Sequence, residues 1–282
     1  MKNKLIFPLL TIAVLLASCS EYNQVVKSDD YGKKLEVANE HYDRGSKPKV
    51  KRNGETKANA SVVLRSVTLY EQIYQRMPKT GEGELAYFRM GKAYYIAGDY
   101  YMAGYYLGMF PQRFPYSVKG EEAMFLSAMC SVKNSPESTL DQNDTELAIN
   151  DLQQFVDRYP NSNLIDSCNK IIDKMRYKLE CKAYEDIKLY AKTENYRAAV
   201  SSAMTFLDDY PMSRFKEEIQ YVLVKNSYLL SKNSIETKKT QRINETIERY
   251  STFVAEYPES KYRKAVAGYN DEMIEELERL KN

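Results

Sequence analysis

Five times along this chain a stretch with helical apolar spacing ends the same way. A large apolar residue is followed, four positions on, by an aromatic or Met, then Pro, any residue, and Ser or Thr. The copies are Ile73, Met77, Pro78 and Thr80; Phe110, Phe114, Pro115 and Ser117; Phe155, Tyr159, Pro160 and Ser162; Phe206, Tyr210, Pro211 and Ser213; and Phe253, Tyr257, Pro258 and Ser260. The prolines stand 37, 45, 51 and 47 residues apart. A period in this range predicts a solenoid of helix pairs, each pair burying its apolar face only by stacking on its neighbours. Such folds offer long surfaces to partners more often than pockets for chemistry.

The local chemistry explains the ending. Residues at i and i+4 lie one above the other on a helix, so the two large side chains form one buried end. Pro lacks the N–H that would continue the helix and disfavours helical geometry in the residue before it. The Ser or Thr two residues later can accept from N–H groups that open the next helix. A full capping box is absent, because Gly83, Gly120, Ile165, Lys216 or Arg263 stands three residues further on.

Residues 84–115 form the cleanest unit, with Tyr87, Gly91, Tyr94, Gly98, Tyr100, Ala103, Leu107, Phe110 and Pro115 at the positions of a tetratricopeptide (TPR) pattern. Gly91 and Ala103 are small where paired helices would cross. The fold class expected is all-α, a TPR-like α-solenoid of five helix pairs with a C-terminal capping helix. The repeats run roughly over 31–78, 84–115, 118–160, 164–211 and 214–258, with the cap over 261–281. Polar insertions are expected over 45–59, 134–144 and 232–239, and no stretch reads as a convincing strand.

The first segment is a targeting signal. Lys2 and Lys4 precede an apolar run over 5–16 that is too short to span a membrane. Leu16, Ala17, Ser18 and Cys19 have the form of a bacterial lipobox. Residues 1–18 are therefore read as a lipoprotein signal peptide, Cys19 as the lipidated residue, 19–30 as a tether and 31–282 as the solenoid. Removing the signal leaves 39 basic and 39 acidic residues. A balanced, exported chain is a poor nucleic-acid binder, so no nucleic-acid partner is expected.

Little in the chain reads as chemistry. His41 is the sole histidine, is placed on an exposed helix face, and has no metal-ligand spacing around it. Asp141 to Thr145 begins like a calcium loop, but Glu146 stands where that loop needs Gly. Cys130, Cys168 and Cys181 are read as small helix residues, with at least one thiol unpaired. Neither a cofactor, a metal site nor an enzymatic activity is expected. The basic run Lys47, Lys49, Lys51 and Arg52 reads first as a solvated loop and second as a contact to lipid phosphates near the anchor. Beside the core positions of the best repeats stand Phe88, Lys92, Tyr95, Phe125 and Met129, a candidate groove for an extended peptide. The other reading makes them core residues.

A lipobox followed directly by five repeats with this aromatic-Pro-x-Ser ending resembles the BamD family of outer-membrane assembly lipoproteins, over roughly residues 19–282. The resemblance implies a non-enzymatic scaffold anchored by Cys19 to the outer membrane and facing the periplasm. It implies that repeats one to three, residues 31–160, receive targeting segments of unfolded outer-membrane proteins, and that repeats four and five bind the periplasmic domains of a BamA-type barrel protein. The long 45–59 insertion departs from the family's compact repeat. Two other classes share parts of the pattern. One is another TPR-type envelope adaptor, associated with peptidoglycan or Tol–Pal. The other is a SusD-like glycan-binding lipoprotein, although those are longer and use Trp platforms, and this chain has no Trp.

Overall fold

The computed structural model describes residues 21–50 and 56–281. Its fold is all-α and TPR-like. A short helix, α1, covers residues 21–27. Five helix pairs follow: α2 (Tyr31–Ser46) with α3 (Ala60–Arg76), α4 (Gly81–Ala97) with α5 (Tyr100–Arg113), α6 (Gly120–Asn134) with α7 (Asn143–Arg158), α8 (Ile165–Lys192) with α9 (Tyr196–Asp209), and α10 (Lys216–Lys232) with α11 (Glu236–Glu256). The final helix, α12 (Arg263–Arg279), packs on α10 and α11. The chain forms two compact units. The first holds the first three pairs and α8 up to Ile172; the second holds residues 137–141 and everything from Asp173 onward.

The repeat ending folds identically each time. Ile73, Phe110, Phe155, Phe206 and Phe253 are buried to within 1 %. The residue four later caps the helix, its N–H donating to the carbonyl of the buried partner. These caps, Met77, Phe114, Tyr159, Tyr210 and Tyr257, share φ between −131° and −123° and ψ between 53° and 68°. That non-helical geometry is what a following Pro demands. The ring pairs Phe110–Phe114, Phe155–Tyr159, Phe206–Tyr210 and Phe253–Tyr257 lie 5.0–5.6 Å apart.

The serines do more than the sequence reading assigned them. Thr80 alone is a true N-cap, accepting from the Gly83 N–H at 3.1 Å. Ser117, Ser162, Ser213 and Ser260 accept from the N–H two residues on, closing the turn before the helix. Each then donates to a glutamate of the preceding repeat: Glu84 at 2.8 Å, Glu121 at 2.6 Å, Glu180 at 2.6 Å and Glu217 at 2.7 Å. Three of these glutamates stand four residues after a repeat-ending Ser or Thr; the equivalent position in the fourth repeat is Asp166. The acceptor there is Glu180 instead, because α8 is 28 residues long against 15 to 17 for α4, α6 and α10. Glu180 stands fourteen residues beyond Asp166, about four turns, and so lies on nearly the same helix face.

The insertions resolve differently. Residues 45–59 carry a two-stranded antiparallel ladder, β1 (Lys49–Val50) and β2 (Thr56–Lys57), where no strand was expected. Gly45 belongs not to that loop but to the end of α2, where it is buried against α3. Of 134–144, only 135–142 form the α6–α7 connection; Asn134 ends α6 and the last two residues begin α7. Of 232–239, only 233–235 form a connection; Lys232 ends α10 and 236–239 begin α11. Gly91 does sit at a helix crossing: a Cβ there would lie 2.7 Å from Leu107 Cγ. Ser66 and Thr246, fully buried at small-residue positions, turn their hydroxyls onto helix carbonyls of Val63 and Arg242.

Two turns within pairs are built alike and differ at one residue. Gly98 takes φ 87°, with Asp99 N–H donating to Tyr94 O and the Asp99 side chain capping α5. Glu194 takes φ 61°, with Asn195 N–H donating to Tyr190 O and Asn195 capping α9. The left-handed region costs a residue with a Cβ about 1–2 kcal/mol. Glu194→Gly should therefore hold or raise the melting temperature, the gain being reduced by the extra freedom Gly gives the unfolded chain. A clear drop on thermal denaturation would show that the turn is not strained at Glu194.

The candidate partner-binding face

The first helices of the pairs carry a recurring triplet. An aromatic residue and a Lys four positions later lie on one helix, and a Glu reaches the Lys from the first helix of the next pair or, for the last pair, from α12. In the first unit, Lys92 Nζ stands 5.4 Å over the Phe88 ring and 2.6 Å from Glu122 of α6. In the second, Lys188 Nζ lies 4.7 Å over Tyr184 and 3.9 Å from Glu218. Lys232 Nζ lies 5.0 Å over Tyr228 and 3.1 Å from Glu272, which also accepts from Tyr228 Oη. Those two donors hold the Glu272 carboxyl below the usual range, while burial raises the Tyr228 phenol. The pairs are partly exposed and contribute little to stability. Their ions can exchange partners at small cost.

The five candidate groove residues fall on α4 and α6, which touch. Lys92 links the two helices through Glu122, and Phe125 and Met129 stand one and two turns beyond Glu122. Lys92, Tyr95, Phe125 and Met129 are half-buried. Tyr95 meets Tyr100 edge-on at 5.6 Å, and Phe125 tilts against Phe155 at 5.5 Å. Phe88 is different: it is 5 % exposed and packs on Phe110 at 5.2 Å, so it is a core residue and offers no surface to a peptide. The reason is that α4 is flanked by α2, α3, α5 and α6. A helix with neighbours on most sides buries a broad arc, and no polar stripe marks its edge.

The same face holds a cluster that the sequence pattern did not single out. Arg89 Nη1 donates to Asn39 Oδ1 at 2.6 Å and to Tyr70 Oη at 3.2 Å, and its guanidinium lies 4.9 Å over Tyr42. It ties α2, α3 and α4 together. Burial raises the Tyr70 phenol far above its ordinary range. The only sequence hint is an Arg interrupting the apolar run Ala86 to Met90.

His41 is not on an exposed face, as its helical position suggested. It is 8 % exposed, covered edge-on by Tyr22 of α1 at 5.3 Å, with Arg44 against Nδ1 at 3.0 Å. Burial and then Arg44 lower its pKa. Cys130 and Cys168 are buried helix residues, Cys181 is half-buried, and all three are free thiols. Burial pushes the Cys130 thiol up to about 12, which makes it a poor nucleophile. Among the described residues no group of His, Cys, Asp or Glu could hold a metal ion, and no helix is long and apolar enough to cross a membrane. Cys19 lies outside the described residues.

Stacked helix pairs closed by the same turn each time define an all-α, TPR-like helical-repeat protein. A family model described as outer membrane lipoprotein, YfiO, matches residues 45–205 and 183–279. The chain belongs to this family of outer membrane lipoproteins, which places it in the cell envelope. No curated protein matches the sequence.

Proposed function

We propose that this protein is a non-enzymatic scaffold of outer-membrane barrel assembly, lipid-anchored through Cys19 and facing the periplasm. In this reading the first unit receives extended targeting segments of unfolded barrel proteins. The second unit holds the periplasmic domains of a BamA-type barrel protein. The family supports the location, and the repeat fold supports a scaffold. The observation that carries the peptide role is the Lys92–Glu122 pair, whose Glu122 carboxylate is half exposed. A peptide's terminal carboxylate can take its place on Lys92, while Tyr95, Phe125 and Met129 offer ring and thioether edges to apolar side chains.

The test is titration of a synthetic peptide with alternating apolar residues, a terminal aromatic and a free carboxylate. A shallow face and a flexible ligand imply affinity on the order of micromolar. Lys92→Ala should weaken binding about tenfold, the loss of one charge-assisted contact. Glu122→Gln should tighten it, because the competing carboxylate is gone, and should do nothing for the same peptide amidated at its C-terminus. Equal binding of a scrambled peptide would remove the receptor role. Normal binding by Lys92→Ala would move the site elsewhere. For the second unit, affinity capture from membranes should recover a large barrel protein with repeated periplasmic domains.

A further inference from the structure

We propose that the base of the β1–β2 hairpin is a second membrane contact, in which Lys47, Lys49 and Lys57 sit on anionic phospholipid headgroups beside the lipid anchor. Three observations lead there. The first is charge without a partner. The ladder pairs Lys49 with Lys57 and Val50 with Thr56, so two lysines stand directly opposite each other. Like charges in that position destabilise a strand pair. Among the described residues, no carboxylate lies within ion-pair distance of Lys47, Lys49 or Lys57, and all three are exposed. Lys47 suits the carbonyl end of α2 on its own. Lys49 and Lys57 have no such account, and an external anion supplies one.

The second observation is position. The Asn59 N–H donates to Gly45 O at 2.8 Å, closing the insertion where α2 ends and α3 begins. The chain enters at that same end. Tyr22 of α1 donates from Oη to Arg65 O at 2.8 Å and covers His41, so it rests on the last turns of α2 and the first turns of α3. Cys19 is three residues before Tyr22, a reach of at most about 10 Å. The base of the hairpin therefore projects from the end of the first pair at which acyl chains on Cys19 would enter the leaflet. The third is contrast. The mature chain is balanced at 39 basic and 39 acidic residues, so this end is basic by local concentration and not by overall charge. Val50, 74 % exposed, lies on the opposite face of the ladder from Lys49 and Lys57.

The occupant follows from the chemistry. Charge attraction to a lipid surface decays over about 8–10 Å at physiological salt, which matches the tether. Three lysines at such a surface strengthen partition roughly fivefold each, on the order of a hundredfold together. The patch adds an electrostatic contact to the same leaflet that the acyl chains on Cys19 enter. The inference relies on the lipid-anchor reading for its choice of membrane, and its test is independent of that reading.

The experiment uses the full mature chain carrying Cys19→Ser, which cannot be acylated, in co-sedimentation with vesicles. Wild-type loops should pellet with phosphatidylcholine vesicles containing roughly 30 % phosphatidylglycerol and not with phosphatidylcholine alone, and added salt should release the protein. The variant Lys47→Glu, Lys49→Glu, Lys57→Glu loses three attractions and gains three repulsions, so it should lose at least about a hundredfold in partition at an unchanged melting temperature. A control with Lys238→Glu, Lys264→Glu and Lys281→Glu, exposed lysines of the second unit, changes net charge equally and should bind as wild type. Inorganic phosphate at matched ionic strength should displace the protein no better than chloride does. Displacement by phosphate specifically would make the site a small-anion site and overturn the proposal. Equal loss in the two triple variants, or equal binding to neutral vesicles, would also overturn it.

Discussion

Gly45→Leu should unfold the first helix pair from its crossing outward and lower the melting temperature more than Gly91→Leu at the second pair's crossing. A Cβ at this position would lie 2.4 Å from Val63 N, 2.7 Å from Val63 Cα and 2.8 Å from Val63 Cβ. Two of these are backbone atoms of α3, which cannot rotate away. Overpacking a core costs about 1–3 kcal/mol when side chains can adjust, and a backbone clash belongs at or above the top of that range. At Gly91 the nearest atoms are the Leu107 side chain, at 2.7 Å and 2.9 Å, so Gly91→Leu should cost less. Gly268, with nothing within 4 Å of its added Cβ, is the control. Gly268→Ala should be neutral or stabilising through helix propensity, by up to about 1 kcal/mol. Thermal denaturation by circular dichroism reads all three. If Gly45→Leu melts as wild type does, α2 and α3 do not cross as closely as described.

Cys19→Ala should release the protein from the membrane fraction or leave the signal uncut. The expectation comes from Leu16, Ala17, Ser18 and Cys19 at the end of a short apolar run. Each buried methylene of an acyl chain is worth about 0.8 kcal/mol, so losing every chain removes most of the membrane affinity. Fractionation before and after a high-salt wash, with mass spectrometry of the mature N-terminus, separates the outcomes. A processed variant with no lipid that survives the wash would show that a protein partner holds the chain. The basic hairpin cannot explain such a result, because salt screens lysine contacts.

What could be read from the sequence was whatever is local. A large residue, another four later and a Pro after it are three constraints within six positions, and they specified five helix ends without reference to the rest of the chain. The burial of Phe88 was not legible, because it depends on how many helices surround α4, which no 3.6-residue pattern records. The glutamates that receive Ser117, Ser162, Ser213 and Ser260 lie 33 to 43 residues away, so their pairing exists only in the folded stack. Gly45 stood beside a polar run and read as the start of a loop, when it is the close-approach residue of the first pair. His41 read as exposed because its cover, Tyr22, comes from the segment taken for a tether.

The length of α8 bears on how such a chain can change over generations. A helix advances 100° per residue, so the fourteen-residue step from Asp166 to Glu180 brings a side chain back to within about 40° of its starting azimuth. Glu180 can then do for Ser213 what an acid at position 166 would do in a shorter repeat. An addition of two residues would turn everything downstream through about 200° and point the carboxylate away from its serine. Insertions inside these helices are thus filtered by phase more than by size. The lengths that pass are near-whole numbers of turns, and the connecting loops absorb the rest. Repeats of unequal length can then share one stacking geometry, each tuned in reach without disturbing its neighbour.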